Sequence, residues 1–113
     1  MRNEPLKIAL RRANDTTLVD VVGDIDLQNS PGLRKALMET LKQSPRVILN
    51  LEQVRYIDSS GIASLVEGLK EAQTLQRRFI LFGLSKAARQ VLKLTRLITV
   101  FEVYDTEAEA LKA

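Results

Sequence analysis

The chain has 113 residues, 45% hydrophobic and 27% charged, which suits one domain (1–113) able to bury its own core. It holds no cysteine and no histidine, which removes disulfides, thiolate chemistry, the usual zinc sites and every Ser-His or Cys-His nucleophile pair. A net charge of +3, with basic residues scattered among acids and only 4% aromatic residues, offers little for gripping nucleic acid.

The opening segment MRNEPLKIALRR lacks a long apolar stretch and a small-residue cleavage site, and no apolar run approaches the roughly 18 residues of a spanning helix. A cytoplasmic protein without membrane contact is therefore expected. LKIALRRA (6–13) and TTLVDVVGD (16–24) are β-prone runs joined by Asn14-Asp15, a pair suited to a tight hairpin. SPGLRKALMETLKQS then predicts a helix, with Ser30 as N-cap, Pro31 at the first helical position and Leu33, Leu37 and Leu41 as the buried stripe. Pro45 stops it.

RVILNL (46–51) and RFILFGL (78–84) are nearly continuous apolar runs, the pattern of interior strands covered on both faces. Between them, the helical spacing of Ile62, Leu65, Val66 and Leu69 predicts an amphipathic helix over residues 60–76. SKAARQVLKL (85–94) opens on a capping Ser85 and is expected to bury Ala88, Val91 and Leu92. TVFEVY (99–104) is the last predicted strand, and DTEAEALKA closes the chain as a short helix with acids in its first turn.

The order β-β-α-β-α-β-α-β-α gives an α/β domain: a mixed, mostly parallel sheet of about five strands with four helices, its first strand antiparallel to the second. A site is expected at the carboxyl ends of the parallel strands. Asp58-Ser59-Ser60-Gly61 lies at such an end, where strand gives way to helix. Capping accounts for one of these oxygens, but three candidates occur in succession. Gly61 in the first turn gives up on the order of 1 kcal/mol relative to alanine, and would let a ligand or partner approach the backbone.

A helix start tolerates an anion, so a phosphate on Ser59 or Ser60 would leave the fold intact while adding about −1.5 to −2 charges to the surface. Asp24 and Asp26, at the end of the second strand, read either as loop acids in Asp turns or as a polar rim beside the serines. Gly68, inside the same helix as Gly61, is assigned to packing.

Ile57-Asp58-Ser59-Ser60-Gly61-Ile62 closely resembles the signature of STAS domains, specifically the stand-alone anti-sigma factor antagonists. VVGDIDLQNSPGLRKAL is similar to that family's Gly-Glu-hydrophobic-Asp segment and first helix, RVILNLEQVRYID to its central strand, and LSKAARQVLKLTRLITVFEVYDTEAEAL to its closing portion. Asp24 replaces the family's usual glutamate, and Arg96 stands where glycine is common.

The resemblance implies a binding protein with no catalytic residues, cofactor or metal. Its unphosphorylated form would bind an anti-sigma factor that is also a serine kinase, and so release a sigma factor. Phosphorylation of Ser59 would end the binding, and a PP2C-type phosphatase would reset it. Asp24, Asp26, Asp58, Ser59, Ser60 and Gly61 are then the expected partner-binding residues. A weak homodimer is left open.

Other readings keep different features. The same fold could serve as the partner subunit of a membrane transporter ATPase or of a stress or secretion-control complex. A receiver-like signalling domain would use Asp58 as phosphoacceptor, yet the first strand ends in Arg11-Arg12 rather than an acidic pair. An enzyme would need Asp24, Asp26 and Asp58 to converge on Mg²⁺, and no phosphate-cradling glycine loop accompanies them.

Overall fold

The computed structural model describes residues 6–113. The chain runs β1 (Lys7–Ala13), β2 (Thr16–Ile25), α1 (Ser30–Gln43), β3 (Arg46–Ile57), α2 (Ser59–Leu75), β4 (Arg78–Phe82), α3 (Lys86–Leu94), β5 (Glu102–Tyr104) and α4 (Glu107–Lys112). The strands lie side by side in the order β1-β2-β3-β4-β5. β1 is antiparallel to β2 and every later pair is parallel, as the element order predicts. Asn14, at φ 59, makes the tight turn between the paired residues Ala13 and Thr16.

The two apolar runs are unbroken because both sheet faces are covered. Val47, Leu49, Phe79 and Leu81 join Leu33, Leu37 and Leu41 of α1, Ile62 and Leu65 of α2, and Ala88 and Leu92 of α3 in one core. Their neighbours Ile48, Ile80 and Phe82 pack with Leu18 against Ala110 of α4 on the other face. α4 has only six residues and is held at both ends. Thr106 and Glu109 form a reciprocal capping box at its start, while the Arg46 guanidinium donates to the carbonyls of Ala110, Leu111 and Ala113 at its finish.

Most boundaries fall within two residues of expectation, and four of the differences have a visible reason. β3 continues to Ile57, because two register jumps against β2 place extra residues in β3 and break the alternation. β4 stops at Phe82, since Gly83 turns at φ 63 and sends its N–H to the Tyr104 carbonyl. β5 is only three residues long: the preceding segment turns, and Phe101 points inward, edge-on to Phe79 at 6.5 Å. Asn29 holds the cap position of α1, though its side chain donates to the Asp24 carbonyl rather than capping the helix, and Ser30 becomes the first, buried residue.

In α3, Ser85 caps as expected and Ala88 and Leu92 are buried, with Val91 half-buried. Arg96 occupies the left-handed position after α3 at φ 62, and its N–H and that of Leu97 reach the carbonyls of Lys93 and Leu92. The turn that glycine would favour is therefore kept with an arginine in it. Among the described residues, no helix is long and apolar enough to cross a membrane.

Candidate functional site

β3 carries the chain to the carboxyl edge of the sheet and leaves the ladder at Asp58, whose N–H still donates to the Ile25 carbonyl at 3.2 Å. Asp58 keeps an extended backbone and is the N-cap of α2. Its Oδ1 accepts the N–H groups of Ser60 (3.0 Å) and Gly61 (3.2 Å) and the Ser60 hydroxyl (2.5 Å). The N–H of Leu27, from the loop between β2 and α1, also faces this carboxylate. Burial pushes the Asp58 carboxyl pKa up, but the hydrogen bonds from Ser60 and Gly61, with the facing Leu27 N–H, outweigh it and hold the group below the ordinary range. Asp58 is thus ionised at neutral pH.

The three oxygens therefore have different tasks. Asp58 caps the helix, and the half-buried Ser60 hydroxyl is tied to Asp58. Ser59, the first residue of α2, is exposed and takes no part in the cap. The geometry also changes the electrostatic expectation. The amides of Ser60 and Gly61 are already occupied by Asp58, so a phosphate on Ser59 would have a carboxylate beside it, with only the helix dipole as favourable offset.

The loop acids separate in the same way. Asp26 is half-buried and builds its own turn: Oδ1 accepts the N–H groups of Gln28 and Asn29, each at 3.0 Å, and its carbonyl accepts those of Asn29 and Ser30. The bond from the Asp58 N–H to the Ile25 carbonyl holds the end of β2 against the start of α2, so Asp26, Asp58, Ser59 and Ser60 share one edge of the molecule. Ser64 reinforces the junction, its hydroxyl donating at 3.2 Å to the carbonyl of Ser30 at the start of α1.

Asp24 and Gly61 do not belong to the expected surface. Asp24 is 2% exposed, its carbonyl accepting from the Asn29 side chain at 2.9 Å. It lies inside β2, paired with Tyr56 just after a register shift, rather than in the loop or on the polar rim expected for it. Gly61 is buried, and a Cβ there would lie 2.7 Å from both Ile25 Cγ2 and Ile57 Cγ1. Its missing side chain serves the close approach of α2 to β2 and β3 rather than that of a ligand. At Gly68 a Cβ would meet Phe79 at 3.3 Å and Leu37 at 3.4 Å, the packing role expected for it.

Among the described residues, no group of three or more acids gathers where a metal ion could be held. Leu27, by contrast, was not singled out by sequence reasoning and is 75% exposed on this same edge. The available signal was one large apolar residue within the otherwise polar stretch DLQN.

The STAS domain family model matches residues 7–110. Over 101 residues the chain is 30% identical to the anti-sigma-B factor antagonist of Listeria monocytogenes, covering 87% of this chain and 89% of that one. It is 29% identical over 93 residues to the protein of that name from Staphylococcus aureus, covering 80% and 86%. Among solved structures, an anti-sigma factor antagonist from Mycobacterium paratuberculosis superposes with a TM-score of 0.86 at 23% identity, covering 95% of this chain and 92% of the other. With the motif, the topology and these likenesses in agreement, the chain belongs to the STAS domain family, alongside relatives named anti-sigma factor antagonists.

Proposed function

We propose that this protein is a phospho-regulated binding module that antagonises an anti-sigma factor. Its unphosphorylated form binds a serine-kinase anti-sigma factor through the edge bearing Asp26, Asp58, Ser59 and Ser60, and so frees a sigma factor. The kinase transfers the γ-phosphoryl of ATP to Ser59 Oγ, releasing ADP and the hydroxyl proton. A PP2C-type phosphatase later hydrolyses the ester, returning serine and inorganic phosphate. The protein is the substrate and the binder in this cycle, and contributes no catalytic group.

The observation that carries this reading is the division of labour at the start of α2. The cap belongs to Asp58, so the exposed Ser59 can be modified without removing it. Ser60 fits the role less well, since its hydroxyl is bonded to Asp58 and a phosphate there would break that bond. A dianion at Ser59, next to the ionised Asp58, is costly to desolvate beneath a partner, which is the basis of release.

Incubating the protein with ATP and each candidate anti-sigma kinase, then mapping the phosphate by mass spectrometry, tests the reading. Modification of Ser59, absent from Ser59→Ala, is expected. Phosphate placed only on other residues would overturn it.

A further inference from the structure

The edge beside Ser59 holds an apolar side chain to which the polar motif gives no role. Leu27 is 75% exposed, and a lone exposed leucine ordinarily needs no explanation. Its position distinguishes it. The Asp58 N–H donates at 3.2 Å to the carbonyl of Ile25, two residues before Leu27, and Ser59 follows Asp58. On the other side, Asp26 fixes the loop with hydrogen bonds to Gln28 and Asn29, each at 3.0 Å. The leucine is therefore presented on a backbone bonded at both flanks. Leu94 is as exposed at 76%, but it projects from α3 among Lys86, Arg89 and Lys93.

We infer that Leu27 is the apolar anchor of the partner interface, entering a hydrophobic pocket on the anti-sigma kinase immediately beside Ser59. This rests on the function proposed above and adds to it the chemistry of the contact. An anchor of this kind works only when its surroundings are dry, because burial of a leucine is favourable through loss of contact with water. A phosphate on Ser59 retains its hydration shell and keeps the neighbouring seat wet. The switch would then act through loss of an apolar contact as well as through charge.

The experiment measures binding of wild-type, Ser59→Asp, Leu27→Ser and Leu27→Met proteins to the purified anti-sigma kinases encoded in the source genome, with thermal melts as the check on folding. Leu27→Ser is expected to weaken binding about tenfold to a hundredfold, from the burial of one leucine. Leu27→Met should stay within about threefold, since methionine fills an apolar pocket of similar size. Leu27→Ser that binds like wild type, while Ser59→Asp does not bind, overturns the anchor and leaves the switch standing. Ser59→Asp that binds like wild type overturns the switch itself. A wild-type protein that binds none of these kinases overturns both.

Discussion

The starts of α2 and α3 solve the same problem in opposite ways. At α3, Ser85 is itself the cap, its hydroxyl oxygen accepting the Ala88 N–H at 3.1 Å. At α2, an aspartate holds the cap position and the serine follows one residue later, exposed and unused by the helix. Phosphorylating Ser85 would rebuild a structural hydrogen bond, whereas phosphorylating Ser59 would not. A serine at a helix start is ordinarily structural. It becomes available as a switch where a neighbouring residue has taken over capping.

This contrast predicts a graded series. The largest effect is on binding: Ser59→Asp should weaken kinase association at least about a hundredfold in a calorimetric titration, with stability within about 0.5 kcal/mol of wild type, as for other surface substitutions. Next comes Gly61→Ala, where the new methyl group meets Ile25 and Ile57 at 2.7 Å. Denaturant melts should show a loss of about 1–3 kcal/mol, typical of overpacking.

Asp58→Ala and Ser85→Ala should each cost about 1 kcal/mol as lost caps. They should respond differently to acid. The Asp58 carboxyl in the folded protein titrates below its unfolded value of about 3.9. Its contribution is therefore present above that pH and disappears as pH falls through the folded pKa. The gap between wild type and Asp58→Ala should narrow below about pH 4, and the gap for Ser85→Ala should not follow it. The smallest effect is a gain: Arg96→Gly should raise stability by roughly 0.5–1 kcal/mol, because glycine takes the left-handed conformation without a Cβ penalty.

What the sequence made legible follows from periodicity. Leu33, Leu37 and Leu41 are all fully buried because one helix face meets one sheet face, and a four-residue repeat records that directly. The apolar runs of β3 and β4 were readable as doubly covered strands for the same reason. The continuation of β3 through Glu52, Gln53 and Arg55 was legible only from the strand end before Asp58 and from the family resemblance, not from periodicity. Those residues are exposed, and the bulges that keep them in the sheet leave no regular pattern.

At the site, the sequence supplied the cap and the neighbouring hydroxyls but could not divide the work among them. Asp24 and Asp26 look alike as loop acids, yet Asp24 is enclosed and Asp26 turns the loop. Gly61 suggested an opening for a ligand, whereas the space is filled by two isoleucines from β2 and β3. These distinctions depend on contacts between distant segments, which local spacing does not encode. The same holds for Leu27, whose proximity to Ser59 arises only once the Asp58 N–H meets the Ile25 carbonyl.

The most direct test compares the wild-type protein before and after phosphorylation of Ser59, measuring thermal stability and affinity for the kinase on the same samples. The account predicts a melting temperature shifted by no more than a few degrees, with binding reduced at least about a hundredfold. Full affinity retained by a protein shown to be completely phosphorylated at Ser59, or collapse of the fold on modification, would contradict it.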